Sequence, residues 1–264
     1  MSRLGLRTAA RDPLRSFSSR RSFLFASFAT LLASRSRAAS SVDEAITDLD
    51  KLGRFENVLG KPGVVVGVPH GTADSGTLEA GRILCKRLDA GGVFVTGFWD
   101  PKTRQRINVN RDSEELVGQN SEVLRQWSSP RAVAANARYT ELVKQTAQGP
   151  IKAFYELHSN HRQNVAGSIE VSTLGVSYSE AVRFREAFLA ARNRLAPDVP
   201  RMNVHVSPYD KVGFPNYAHA SSISKLSEKG CAIEHPGHIF DNRPWRVAYA
   251  NCLADAISAA GWVS

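Results

Sequence analysis

The chain has 264 residues, of which 42% are hydrophobic and 22% charged, enough for one large α/β domain or two small ones. That composition excludes wholesale disorder, collagen-like repeats and a disulfide-dense miniprotein. The formal charge of +9 suggests a polyanionic partner only until it is located: residues 1–39 hold eight arginines against Asp12 alone, so the remaining 225 residues net only +2 and carry no electrostatic footprint for nucleic acid.

The basic leader has a recognisable layout. Arg20-Arg21 abut the apolar run Phe23 to Ala33, and Ala38-Ala39-Ser40 supply small residues after it. A charged start, a short apolar stretch and a small-residue cleavage site make a secretory signal, and the run is too short to span a bilayer comfortably. Ser-Arg-Arg-x-Phe-Leu at residues 19–24 resembles the bacterial twin-arginine export signal, which predicts cleavage near Ala38 or Ala39 and a periplasmic or secreted mature chain of residues 40–264. The alternative for the same arginine- and serine-rich, acid-poor composition is a mitochondrial transit peptide.

After residue 40 strand-like and helix-like segments alternate. Apolar runs bounded by Gly or Pro predict strands at Gly63–Val68, Gly92–Phe98, Ile151–Leu157, Ser168–Leu174, Met202–Val206 and Cys231–Ile233. Helical spacing falls at Gly76–Leu88, Ala132–Thr146, Ser179–Leu195, Ala218–Ser227 and Pro244–Ala260. This order predicts one α/β domain, a three-layer α/β/α arrangement with helices on both faces of a mixed, mostly parallel sheet. The polar, turn-rich stretch Asp100–Pro130 reads as a long functional loop. Cys85, Cys231 and Cys252 show no metal-type spacing and read as buried thiols.

Three strand ends carry polar groups, and in an open α/β sheet ligands collect beyond the carboxyl ends of the strands. The first predicted strand runs into His70-Gly71-Thr72-Ala73-Asp74. Alone, His70 fits a turn histidine, with Asp74 or Ser75 capping the next helix. His158 lies 88 residues further on, at the end of a second strand. Two strand-end imidazoles and a carboxylate suit one zinc ion with an open coordination position. His161 follows closely and ranks lower. Also lower are His235 and His238 near the rim, His205 on a strand and His219 on a helix. Glu234 ends the Cys-Ala-Ile strand, where partial desolvation would raise its pKa and suit it to accept a proton; the competing reading pairs it with Arg243 or Arg246. Arg104-Gln105-Arg106-Ile107-Asn108-Val109-Asn110-Arg111 is rich in donors for a carboxylate.

His70 with a following acid, then Val109-Asn110-Arg111, then Ile151 to Ser159 ending in His-Ser, then Glu234 on a late strand, resembles the zinc carboxypeptidase-like clan. Within it the chain looks most like the N-formylglutamate amidohydrolase family, over roughly Val64 to Pro236. The resemblance implies a zinc carboxypeptidase-like fold and a mononuclear zinc hydrolase cleaving an amide beside a carboxylate-bearing group, in a small or peptide-like substrate. It matches His70 and His158 to the zinc ligands, Asn110 and Arg111 to the binders of the substrate carboxylate, and Glu234 to the general base. Where the clan has His-x-x-Glu this chain has Ala73, so Asp74 stands in as third ligand with Glu79 in reserve. Arg104, Arg106 or Arg162 would stabilise the oxyanion, and Tyr209 or Tyr217 would cover the substrate. Two further readings are a carboxypeptidase or cell-wall peptide hydrolase, and a non-catalytic protein of the same fold that binds acidic ligands after losing its metal.

Overall fold

A computed structural model describes residues 49–119, 122–162, 166–213 and 223–263. The expected leader and cleavage site, Tyr217 and His219 lie outside these residues. A seven-stranded sheet runs in the order β1 (Gly53–Val58), β3 (Ala90–Gly97), β2 (Lys61–Val68), β8 (Ile151–Asn160), β11 (Ser227–Pro236), β9 (Ser168–Leu174), β10 (Asn203–Ser207). Only the β1–β3 and β11–β9 pairs are antiparallel, so the sheet is mixed and mostly parallel, as the alternation of elements predicted.

Period-two alternation decides what each face of the sheet sees. Val64, Val66 and Val68 of β2 and Tyr155 and Leu157 of β8 join a core beneath helices α1 (Thr77–Leu88), α3 (Tyr178–Leu195) and α5 (Arg243–Ala260). Val65 and Phe154 face the other way, into a second core with Ala135, Tyr139 and Val143 of α2 (Pro130–Ala147). On β8 the residues that follow Phe154 on its face are Glu156, His158 and Asn160, so the buried half of the strand places three polar groups toward the α2 side.

The helices start where local chemistry allows. Ser129 caps α2 with Pro130 in its first turn, Ser177 and Glu180 form a reciprocal capping box on α3, and Asn242 caps α5. Helix α1 differs from expectation. Its N-cap is Gly76, at φ 73°, and no side chain caps it. A Cβ there would stand 2.8 Å from the Phe240 carbonyl, so neither space nor backbone admits a larger residue. Asp74 is therefore not spent on capping.

Two expectations need correction. The stretch Asp100–Pro130 is not a loop: it contributes to a four-stranded antiparallel sheet of β4 (Trp99–Asp100), β5 (Gln105–Asn108), β6 (Ser113–Val117) and β7 (Val123–Ser128). Its exposed-looking polarity comes from cross-strand pairs such as Arg106 with Glu115, while Ile107 turns into the α2 core. The helix expected at Ala218–Ser227 is, within the described residues, a single 3-10 turn at Ser224–Leu226. At Ser227 the chain enters β11, which runs ten residues because β8 pairs with it from Ser227 to Pro236 and holds its polar ends in the ladder, while β9 flanks its middle at Gly230–Glu234. Edge strand β1 was not foreseen. The three cysteines are free and buried. Among the described residues no helix is long and apolar enough to cross a membrane. The five-residue α4 (Gly237–Asp241) precedes α5.

Candidate metal centre

The turn leaving β2 brings His70 and Asp74 together, and β8 brings His158 to them. Asp74 Oδ2 lies 3.4 Å from His70 Nδ1 and 3.3 Å from His158 Nδ1, and one donor atom from each of the three residues lies within 4.8 Å of the others. All three side chains are buried. Ligand bonds of 2.0–2.1 Å at tetrahedral angles put neighbouring donor atoms about 3.3 Å apart, the spacing of both histidine–aspartate edges.

The remaining ring nitrogens fix which atoms face the centre. Asn108 Nδ2 donates to Glu115 Oε1 at 2.9 Å, and a carboxylate can only accept, so the Asn108 Oδ1 is the atom 2.8 Å from His70 Nε2. His70 Nε2 must then carry the proton, leaving Nδ1 as a lone pair. That nitrogen is buried without a hydrogen-bond partner. His158 Nε2 likewise donates to Glu156 Oε2 at 3.3 Å, which directs its own Nδ1 at Asp74. The His70 lone pair, the Asp74 oxygen and a His158 Nδ1 that becomes a second lone pair once it gives up its proton turn on one point and fit a cation, and imidazole with carboxylate fits zinc.

Glu156 is an ionisable group with no exposure at all. Asn110 Nδ2 donates to it at 2.8 Å and the Tyr139 hydroxyl at 3.4 Å. Tyr139 reaches it across Gly67, the register partner of Glu156 on β2, where a Cβ would stand 2.2 Å from the tyrosine oxygen. Arg106 closes the same network from the small sheet: Nη2 is 2.6 Å from Glu115 Oε2 and Nη1 3.7 Å from Asp74 Oδ1.

These contacts set the charge states. Burial would protonate Asp74, but the hydrogen bond and charge of His158 hold it well below the carboxylate range. Burial would deprotonate His158, yet Asp74 and Glu156 push it up to about 10. For His70 burial wins, reinforced by the Arg106 charge, and its pKa falls. Glu156 stays below its ordinary value against burial because His158 and Asn110 bind it. Glu234 is the exception: burial raises it, with the Asp74 charge in the same direction, against His158, Asn160 and Arg162. Glu234 is the register partner of His158 and accepts from Asn160 Nδ2 at 2.9 Å.

A cavity of about 290 Å³ opens over this centre, lined by His70, Asp74, His158, Glu234, Arg104, Arg106, Arg162 and His161 among others. Asn110 and Arg111 are not among its lining residues; the Asn110 amide is committed to Glu156. Glu79, the reserve ligand, faces outward on α1 and pairs with Arg243 and Arg246, which removes those arginines from Glu234. His235 points to the opposite face and shares a 2.6 Å hydrogen bond with Tyr249. His238 is exposed and His205 half-buried on β10. The Tyr209 hydroxyl donates to the Val176 carbonyl at 2.8 Å. Sequence reasoning missed Asn108, Glu115, Tyr139, Glu156 and Asn160. For Asn108, Glu156 and Asn160 the signal was alternation: Glu156, His158 and Asn160 on one strand, Arg106 and Asn108 on another, each at spacing two.

No family model and no curated relative matches the sequence. Among solved structures the chain is similar to a gene product of Agrobacterium tumefaciens, with a TM-score of 0.49 and 14% identity over 79% of this chain and 94% of that one. It is also similar to a bacteriophage poly-gamma-glutamate hydrolase, at TM-score 0.43 and 11% identity over 78% and 88%. A third is the N-acetylmuramoyl-L-alanine amidase AmiC2 of Nostoc punctiforme, at 0.38 and 12% over 75% and 97%.

Proposed function

We propose that the protein is a zinc-dependent amidohydrolase that cleaves an amide next to a carboxylate-bearing group, with N-formylglutamate as the model substrate, as its resemblance to the N-formylglutamate amidohydrolase family implies. The observation that carries the reading is the convergence of His70 Nδ1, His158 Nδ1 and Asp74 Oδ2, each held from behind by Asn108, by Glu156 or by the turn itself. Zinc bound there would polarise the scissile carbonyl and acidify water. Glu234, buried and raised in pKa, takes a proton from the attacking water and returns it to the leaving amine. Arg162 lies on the cavity close enough to Glu234 to act on its charge and faces the oxygen that becomes anionic.

Residues 1–39 serve as a twin-arginine-type leader in this reading, and the mature chain acts in the periplasm or outside the cell. The test is purified protein assayed for zinc content and for hydrolysis of N-formylglutamate beside peptides with free C-termini. Near one zinc per chain with turnover of N-formylglutamate supports the proposal. Turnover of the peptides alone makes it a carboxypeptidase or cell-wall peptide hydrolase. A zinc-loaded protein that hydrolyses neither refutes the enzyme reading.

A further inference from the structure

Three arginines line the cavity, and they differ in what they have left to offer. Arg106 is neutralised by Glu115, with Nε and Nη2 at 3.2 and 2.6 Å from the same carboxylate oxygen. Arg162 donates through Nη2 to Glu170 Oε2 at 2.7 Å. Arg104 is bound by uncharged groups. Its Nε donates to the Val117 carbonyl at 2.8 Å and its Nη2 to the Gly118 carbonyl, while its guanidinium sits 5.7 Å from the centre of the Trp99 ring, another cavity residue. Among the described residues no carboxylate hydrogen-bonds to it. Carbonyls and an indole face orient a guanidinium without cancelling its charge.

The backbone adds a second observation. Arg104 closes the β4–β5 hairpin in the left-handed region, at φ 56°, where Gly or Asn would cost less. The turn geometry accounts for the conformation and gives no reason for an arginine.

Resting on the amidohydrolase reading, we infer that Arg104, with Trp99 beneath it, is the specificity-determining anchor for the substrate carboxylate in this chain. Asn110 and Arg111 do not take that part: they are off the cavity, and the Asn110 amide holds Glu156. The preferred substrate is then an amide whose carboxylate reaches toward the Val117–Gly118 edge of the small sheet, bound in the plane of the guanidinium.

The experiment compares zinc-loaded wild type with Arg104→Gln, which keeps a donor for the Val117 carbonyl and removes the charge, and Arg104→Lys, which keeps the charge. Each is assayed for kcat/KM on N-formylglutamate and on the same compound with both carboxylates converted to carboxamides, and for glutarate affinity by calorimetry. A charge-assisted hydrogen bond contributes about 1.5–3 kcal/mol, a factor of ten or more. The expected result is a fall of about tenfold or more in the acid-to-amide ratio and in glutarate affinity for Arg104→Gln, with Arg104→Lys within about fivefold of wild type. Equal effects of the two substitutions, or equal glutarate affinity in all three proteins including no binding by any, overturn the inference. Charge-dependent glutarate binding in a protein that hydrolyses neither compound would sink the hydrolase reading and leave the anchor standing.

Discussion

Gly67→Ala perturbs the centre from behind without touching His70, Asp74 or His158. The added methyl would stand 2.2 Å from the Tyr139 oxygen and 2.9 Å from Phe154 Cζ. Both rings are fully buried, so the contact cannot be relieved by swinging a flexible tail into solvent. Overpacking of this kind costs about 1–3 kcal/mol. Displacing Tyr139 also removes its long hydrogen bond to Glu156, about 1 kcal/mol. The sum is about 2–4 kcal/mol, which for a domain of this size lowers Tm by roughly 5–15 °C. The discriminating measurement is a double-mutant cycle by urea unfolding. Tyr139→Phe alone should cost about 1 kcal/mol, and in the Gly67→Ala background it should cost nothing or restore stability, because the hydroxyl is the clashing atom. Additive losses, within about 0.5 kcal/mol, would refute the assigned contact.

Glu234→Gln should lower kcat/KM by about 10²–10⁴ while zinc content stays at one per chain; normal turnover removes Glu234 from the mechanism. His158→Ala and Asp74→Ala should each abolish zinc retention, read by metal analysis after dialysis. With His158 pushed up to about 10, zinc must displace its proton at neutral pH. Calorimetry in buffers of different ionisation enthalpy should show about one proton released per ion near pH 7 and apparent affinity rising about tenfold per pH unit up to about pH 10; zero release at pH 7 contradicts this. Glu180 is held at about 2 because hydrogen bonds from Lys229 and Ser177 outweigh burial. Its folded value lies below its unfolded one, so its contribution is present above the ordinary glutamate pKa and fades as pH falls toward 2. Wild type should lose about 1 kcal/mol more than Glu180→Gln over that window, after allowance for solvent screening. Parallel pH profiles would exclude the effect.

What could be read in advance depended on whether burial left a mark along the chain. β2, β3 and β8 announce themselves because they are covered on both faces and run largely apolar, β9 because Ile169 and Val171 alternate with polar residues, and the ends of β2 and β8 foretell that His70 and His158 approach each other. The small sheet left no such mark. Its stability rests on pairs such as Arg106 with Glu115 and Arg131 with Glu114, which look like a solvated loop in one dimension. Glu156 was hidden for a related reason. Inside a strand of Phe154, Tyr155 and Leu157 only His158, two residues on, accounts for a carboxylate locally, since its other partners Tyr139 and Asn110 arrive from α2 and from the turn after β5. Asp74 was visible as an acid, but that Gly76 rather than Asp74 would start α1 required knowing that the Phe240 carbonyl crowds that turn.

The orientation of His70 depends on a strand outside the sheet that carries it. Asn108 belongs to β5 and is aligned by Glu115 of β6, while His70 and His158 hang from the main sheet. Transplanting the chemistry into another scaffold therefore requires both layers: a graft of the two histidines and the aspartate would reproduce the donors but let one imidazole spin. In a designed host, a single amide facing His70 Nε2, itself pinned by a carboxylate, is the smallest addition that locks the ring.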